Sequence, residues 1–169
     1  MPPFARYKGR TSIYAFYKFI HVLGVIFLVG NVSVTSIWKV FADRTRNPAV
    51  VSFAQRLVTH TDWTLTGGGV ALTMIGGYGM AWEAQLSLTQ VSWLLWSQGL
   101  FLMSGLTWLL VLIPLQVVQS RQAAVFDMAG SIPTSYYRLG RWWITWGVLA
   151  TVPLIVALYV MITKAVPTF

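Results

Sequence analysis

The chain has 169 residues, of which 56% are hydrophobic and only 9% are charged, and its formal net charge is +8. Soluble domains carry about 25% charged residues, so this composition indicates a membrane protein and excludes an ordinary soluble enzyme. Cysteine is absent, which excludes disulfides and thiolate metal sites, and the basic residues flank apolar runs, which argues against nucleic-acid binding.

Four apolar segments are long enough to cross a hydrocarbon core of ~30 Å, which takes about 20 helical residues. They run approximately over residues 19–38, 64–82, 93–118 and 142–163. The first is too long for a signal peptide, and no small-residue cleavage pattern follows it. Because open sheets leave backbone groups unsatisfied in lipid, the sequence predicts an all-α fold, a four-helix transmembrane bundle in which residues 1–169 form one domain.

The first apolar segment opens with Lys18 and His21, in the stretch YKFIHVLGVIFLVGN. At about 100° per residue, a stripe on this helix carries small and polar residues, with Lys18 at its edge. Its members are His21, Gly24, Leu28, Asn31 and Thr35. Ionisable groups inside a membrane helix usually face protein, water or a ligand. Two interpretations remain: a histidine hydrogen-bonded to a neighbouring helix, or one end of a cofactor site.

Loop one contains Asn47-Pro48, which predicts a helix end, and then a mixed apolar and basic stretch that fits an amphipathic extension of helix two. Thr61 or Asp62 is a candidate N-cap of helix two. His60 precedes them, as an interfacial cap residue or as a ligand at an alternative metal site. His21 and His60 are predicted near opposite interfaces, roughly 20–25 Å apart, so they cannot bind one haem iron in a straight bundle.

Helix two carries six glycines in the stretch TGGGVALTMIGGYGMAW, residues 66–82. Glycine in a membrane helix lets another backbone, or a flat cofactor, approach closely, and the sequence leaves both interpretations open. Met80 on this helix and Met161 on helix four are candidates for the sixth ligand of a haem at His21, although methionine in a membrane core is far more often packing.

Basic residues predict the orientation. Loops one and three contain Lys39, Arg44, Arg46, Arg56, Arg121, Arg138 and Arg141. The opposite side contains Arg6, Lys8, Arg10, Lys18 and Lys164. Seven basic residues against five favour loops one and three in the cytoplasm, and we expect the protein in a bacterial inner membrane. Motifs of metalloproteases, P-loop proteins and serine hydrolases are absent, so the sequence leaves open whether the protein is an enzyme.

Several short patterns resemble an uncharacterised bacterial family of small predicted integral membrane proteins. They are Lys18-x-x-His21-V-L-G, Arg56 ahead of Asp62-Trp63, Tyr137-Arg138-Leu139 with Arg141-Trp142, and Met161-x-x-Lys164. The resemblance extends over residues 14–164 and implies membrane location without implying an activity.

Helix one alone is similar to the opening of the HemJ-type protoporphyrinogen oxidase, a four-helix protein that binds haem b, and to CopD-like copper-resistance proteins. The first similarity implies His21 as the haem ligand and Lys18 as a propionate partner. The chain departs from HemJ at the far end of helix one, where Lys39 and Asp43 replace an arginine and a histidine. Protoporphyrinogen oxidation is therefore not expected.

The leading hypothesis is a haem b protein that transfers electrons at the membrane, with His21, Lys18 and Gly24 in the site and a quinone or a redox subunit as partner. A second hypothesis is a non-redox structural or assembly subunit of a larger membrane complex. A third is copper handling by histidine and methionine ligands, which suit Cu(I). These ligands would be His21, His60, Met74 and Met80. Glycine-lined faces also suggest a homo-oligomer.

Overall fold

The computed structural model describes residues 3–166, and it describes side chains from residue 12 to residue 166. The α-helices are α1 Pro3–Thr45, α2 Pro48–Thr61, α3 Gly67–Glu83, α4 Ser92–Thr107, α5 Ile113–Ala129 and α6 Thr134–Thr163. Two π-helical segments, Asp62–Thr66 and Trp108–Leu112, join α2 to α3 and α4 to α5 without a break. The described chain therefore forms four long helices and no strand, which confirms the predicted all-α four-helix bundle.

Three helical stretches are long and apolar enough to cross a membrane: Ser12–Thr45, Ser92–Ala129 and Thr134–Thr163. The remaining long helix, over residues 48–83, consists of α2, the first π segment and the glycine-rich α3. At 1.5 Å per residue, the 38 residues of Ser92–Ala129 extend over about 57 Å, which exceeds a hydrocarbon core of about 30 Å. The bundle therefore extends beyond the core, and the excess lies at the end that carries loops one and three.

The start of α2 explains why the second long helix is longer than its apolar segment. Asn47 caps α2, because its side-chain oxygen accepts hydrogen bonds from the backbone N–H groups of Ala49 (3.0 Å) and Val50 (3.4 Å). Pro48 occupies the first turn, where no N–H is needed. The helix then runs through the predicted cap at Thr61 and Asp62, neither of which makes an N-cap bond. That cap prediction was wrong, and the predicted extension of helix two is present.

The four long helices pack as two hairpins, each made of neighbours in the chain. In the first, α1 packs closely along α3, and in the second, α4 packs along α6. Within the described residues α3 does not pack against α4, and an apolar cleft lies between the two hairpins. The two hairpins contact each other at the end of the bundle that carries loops one and three, where α2 packs on α5.

Glycines set the close contact between α1 and α3. A Cβ atom at Gly24 would lie 2.5 Å from the backbone nitrogen of Thr73, and one at Gly69 would lie 2.8 Å from the backbone oxygen of Gly24. A Cβ atom at Gly76 would lie 2.5 Å from the backbone nitrogen of His21. Four of the six glycines of helix two therefore face helix one, in agreement with the helix-packing interpretation: Gly69, Gly76, Gly77 and Gly79.

Candidate functional site

A row of polar side chains on α1 continues the stripe that begins at His21. Asn31, Thr35, Lys39 and Asp43 follow at intervals of four residues, which places them on one face of the helix. Asn31, Thr35 and Lys39 are buried, and Asp43 is partly buried. This face of α1 therefore carries polar groups into the interior of the bundle.

Lys39 lies at the centre of a buried group that we call the outer cluster, made of Lys39, Asp43, Gln55, Gln119 and Tyr136. Its Nζ donates to Oε1 of Gln55 (2.9 Å) and to the hydroxyl of Tyr136 (2.9 Å). It also forms an ion pair with Oδ2 of Asp43 at 3.5 Å. An ammonium group has three N–H donors, so these three partners leave no donor of Lys39 free.

The burial of Lys39 corrects its assignment as a loop residue. Only 1% of Lys39 is exposed, because α1 continues to Thr45 and its inner face packs against α2 and α6. Lys39 therefore does not belong among the exposed basic residues of loops one and three, which fall from seven to six against five on the other side. The orientation with these loops in the cytoplasm stays a prediction.

A second buried group, the inner cluster, lies deeper along α1 and is made of Asn31, Asp62, Thr66, Trp108 and Gln116. The indole Nε1 of Trp108 donates to Oδ2 of Asp62 at 3.0 Å. Asn31 Nδ2 donates to Oγ1 of Thr66 at 2.9 Å, and the side chains of Thr66 and Gln116 lie close enough to the carboxyl group of Asp62 to interact with it. Asn31 is eight residues from Lys39 on α1, so the two clusters are about 12 Å apart along the helix axis.

The inner cluster lies where the two π segments face each other. Asp62 is the first residue of one π segment and Trp108 is the first residue of the other. Pro114 explains the second π segment, because it cannot donate to the carbonyl of Leu110, which lies in that segment. Short π segments are frequent at functional sites, and here they bring a carboxyl group to an indole N–H across the two hairpins.

His21 is partly buried in the contact between α1 and α3. Its Nδ1 lies 2.8 Å from the backbone oxygen of Thr73. Because a carbonyl oxygen only accepts, Nδ1 carries the proton and Nε2 keeps its lone pair. The hydrogen bond to a neighbouring helix agrees with the structural interpretation of His21, and the same bond is typical of histidines that bind a metal through the other nitrogen.

The other predicted site residues lie apart from one another. Lys18 is exposed, and the space beside Gly24 is filled by α3. His60 is exposed on α2, 13 residues before Thr73 on the same long helix, so it lies about 20 Å from the level of His21. Met80 is partly buried on α3. Among the described residues, no group of three or more His, Asp and Glu side chains is placed to hold a metal ion.

The sequence contained a signal for the two clusters that the sequence analysis did not use. The stripe from His21 to Thr35 continues to Lys39 and Asp43 at the same four-residue spacing. On α5, Gln116, Gln119 and Gln122 follow at intervals of three, inside a segment that ends in a polar loop. Both patterns place polar side chains on one helix face, and extending them past the apolar core would have predicted a buried polar site.

Comparisons with known proteins agree with the resemblance drawn from the sequence. Residues 15–165 match the family described as predicted integral membrane protein (DUF2269). No curated protein and no solved structure matches the chain. The family match extends over nearly the whole sequence, from α1 to the end of α6. The chain therefore belongs to the DUF2269 family of predicted integral membrane proteins.

Proposed function

We propose that this integral membrane protein binds haem b and transfers electrons at the membrane, with His21 as an axial ligand. The observation that supports the proposal is the hydrogen bond from Nδ1 of His21 to the backbone oxygen of Thr73, at 2.8 Å. It fixes the imidazole tautomer and leaves Nε2 able to bind iron. Lys18, one turn earlier and exposed, is the proposed partner of a haem propionate.

The fit of a haem to these residues is restricted by packing. At Gly24, Gly69 and Gly76 the backbones of α1 and α3 are in direct contact, so a flat macrocycle does not fit between these helices. The ring of His21 contacts the α3 backbone near Gly77 and is partly exposed. Haem, when bound, supplies one-electron chemistry. The chain's part is to orient His21 through Thr73, and Met80 is the proposed sixth ligand.

The proposed location is the bacterial inner membrane, with loops one and three in the cytoplasm. There a quinone or a redox subunit would exchange electrons with the protein, and a second copy of the chain would be able to complete the ligand set. A monomer in mild detergent that still binds haem would show that the second copy is not needed.

Optical spectra of protein purified in mild detergent test the proposal. We expect air-oxidised and dithionite-reduced wild type to give a b-type spectrum that is lost in His21→Ala. The matched control is His60→Ala, which removes an exposed imidazole about 20 Å away and should keep the spectrum. Folding of each variant is checked by circular dichroism. A folded wild type without a Soret band, after expression with haem supplied, would reject haem binding.

A second candidate function is a non-redox structural or assembly subunit. It is favoured by the same contact between α1 and α3, because the hydrogen bond of His21 to Thr73 and the glycine packing form a complete structural interface without a cofactor. Under this function, His21→Ala loosens the hairpin and lowers stability while no haem signal exists to be lost. The spectra above therefore separate the two candidates.

A further inference from the structure

Five buried polar atoms without a hydrogen-bond partner belong to residues in or next to the outer and inner clusters. Four are acceptors and one is a donor: Asp43 Oδ1, Gln116 Oε1, Gln119 Oε1, Gln122 Oε1 and Trp143 Nε1. In the described chain, only one further buried side-chain atom is unpartnered, Thr73 Oγ1, which lies apart at the contact of α1 with α3. Buried polar groups are nearly always hydrogen-bonded, to protein or to ordered water, so their concentration in this region requires an explanation.

The three glutamines form a row on the buried face of α5. Gln116, Gln119 and Gln122 are three residues apart, so neighbours in the row lie about 4.5 Å apart along the helix axis. Gln116 lies close to the carboxyl group of Asp62 in the inner cluster and interacts with it. Gln119, which is fully buried, belongs to the outer cluster. The row therefore connects the two clusters.

Gly140 of α6 lies beside the outer end of this row. A Cβ atom at Gly140 would lie 3.5 Å from Oδ2 of Asp43 and 3.7 Å from Oε1 of Gln119. Both oxygens therefore lie beside the same glycine, and Oδ2 of Asp43 is also paired there with Lys39. Trp143, one turn later on α6, carries the unpartnered indole N–H and packs near Leu112. α6 thus places a glycine beside two of the oxygens and carries one unpartnered donor.

The donors of the outer cluster are already used. Lys39 uses its three N–H groups on Gln55, Tyr136 and Asp43. The hydroxyl of Tyr136 donates to Oε1 of Gln55 at 2.9 Å. Water supplies two donors per molecule and is the usual partner of buried acceptors in polar interiors. Water bound at the unpaired oxygens would supply the missing donors.

We propose that the row from Asp43 to Asp62 is a water-filled proton pathway that connects the end of the bundle carrying loops one and three with a carboxyl group inside the membrane. Along it, each water accepts one proton and releases another to the next water, and the carboxylate of Asp62 takes up one proton at the inner end. The transfer needs no oxidant or reductant. It does not depend on haem.

The inner end of the pathway lies beside the apolar cleft between the two hairpins. Trp108, which is hydrogen-bonded to Asp62, lines this cleft together with the buried Thr66. A proton on Asp62 therefore lies one hydrogen bond away from a partly buried residue of the cleft. Polar groups placed in this way within membrane helices commonly mark ion pathways and proton relays.

Exchange of the Trp108 indole proton tests the pathway, because this proton is bonded to Asp62. We expect the indole ¹⁵N–H signal of Trp108, assigned with Trp108→Phe, to exchange in D₂O although Trp108 is partly buried. Gln119→Leu should slow this exchange by roughly tenfold or more, since leucine removes an acceptor and fills a water position. Among the described residues Gln119 donates only to Leu115 of its own helix, so this substitution breaks no hydrogen bond between helices.

The matched control is Gln98→Leu on α4, whose amide bonds to Leu88 and Leu94, away from both clusters. The other tryptophans should keep their exchange rates in both variants, which reports an intact fold. Protection of Trp108 in wild type for as long as the buried backbone amides would overturn the proposal. An unchanged Trp108 rate in Gln119→Leu, with the fold intact, would overturn it as well.

Discussion

Replacing Lys39 with methionine should destabilise the protein by about 3–5 kcal/mol, the usual result of removing one partner from a buried ion pair. Methionine keeps much of the length of the side chain, so packing changes little. The carboxylate of Asp43 would lose its ion-pair partner, and among the described residues Gln55 would keep a single donor, the hydroxyl of Tyr136. Equilibrium unfolding in mixed SDS micelles, followed by circular dichroism, measures the change.

Two controls make the result specific. Arg121→Met removes a cation from an exposed position on the same half of the bundle and should change stability by less than about 1 kcal/mol. The double variant Lys39→Met with Asp43→Leu should recover part of the loss, because a missing pair costs less than an unpaired buried charge. A single Lys39→Met variant as stable as Arg121→Met would contradict the buried position of Lys39.

Replacing Gly76 with alanine should cost about 1–3 kcal/mol or more, which is typical of overpacking an interior. The added methyl group would lie 2.5 Å from the backbone nitrogen of His21 and 2.6 Å from the backbone oxygen of Tyr17. Because both atoms belong to the backbone of α1, a change of rotamer cannot relieve the clash, and the two helices must separate. The midpoint of thermal unfolding, measured in detergent, should fall.

Gly99→Ala and Gly105→Ala are the matched controls, since a Cβ atom at either position meets no other atom within 4 Å. Alanine is a better helix former than glycine, by up to about 1 kcal/mol, so these variants should keep or raise stability. Equal losses in Gly76→Ala and Gly99→Ala would contradict a specific helix contact at Gly76.

The sequence predicted the four helices because apolar length is a direct physical requirement of the bilayer. It also predicted a stripe from His21 to Thr35 that faces protein, water or a ligand. The predicted stripe ended at Thr35, since Lys39 has the position of an interfacial charge, and the structure buries Lys39 four residues further along the same face. A basic residue just beyond an apolar segment has the same local pattern whether it faces lipid head groups or the interior. Only the tertiary partners distinguish the two.

Other features depend on contacts that a single sequence does not contain. The glycines of residues 67–79 allow another group to approach the helix closely. The spacing of the glycines does not show whether that group is a cofactor or a second helix. The bond between Trp108 and Asp62 joins residues 46 positions apart across two π segments. Periodicity does not predict π segments, because they depart from the regular helical repeat. The periodicity of the sequence therefore does not predict which residues of different helices contact each other in the two clusters.

The arrangement of two hairpins has a consequence for biosynthesis. Residues up to Glu83 form the first hairpin from chain neighbours, so it is able to assemble in the membrane before the second has been translated. At that stage Lys39 has Gln55 and Asp43 but lacks Tyr136, and Asp62 lacks Trp108. Insertion of the second hairpin completes both sets of bonds at once. A nascent chain that stops early therefore keeps Lys39 and Asp62 without part of the hydrogen bonding that compensates their burial.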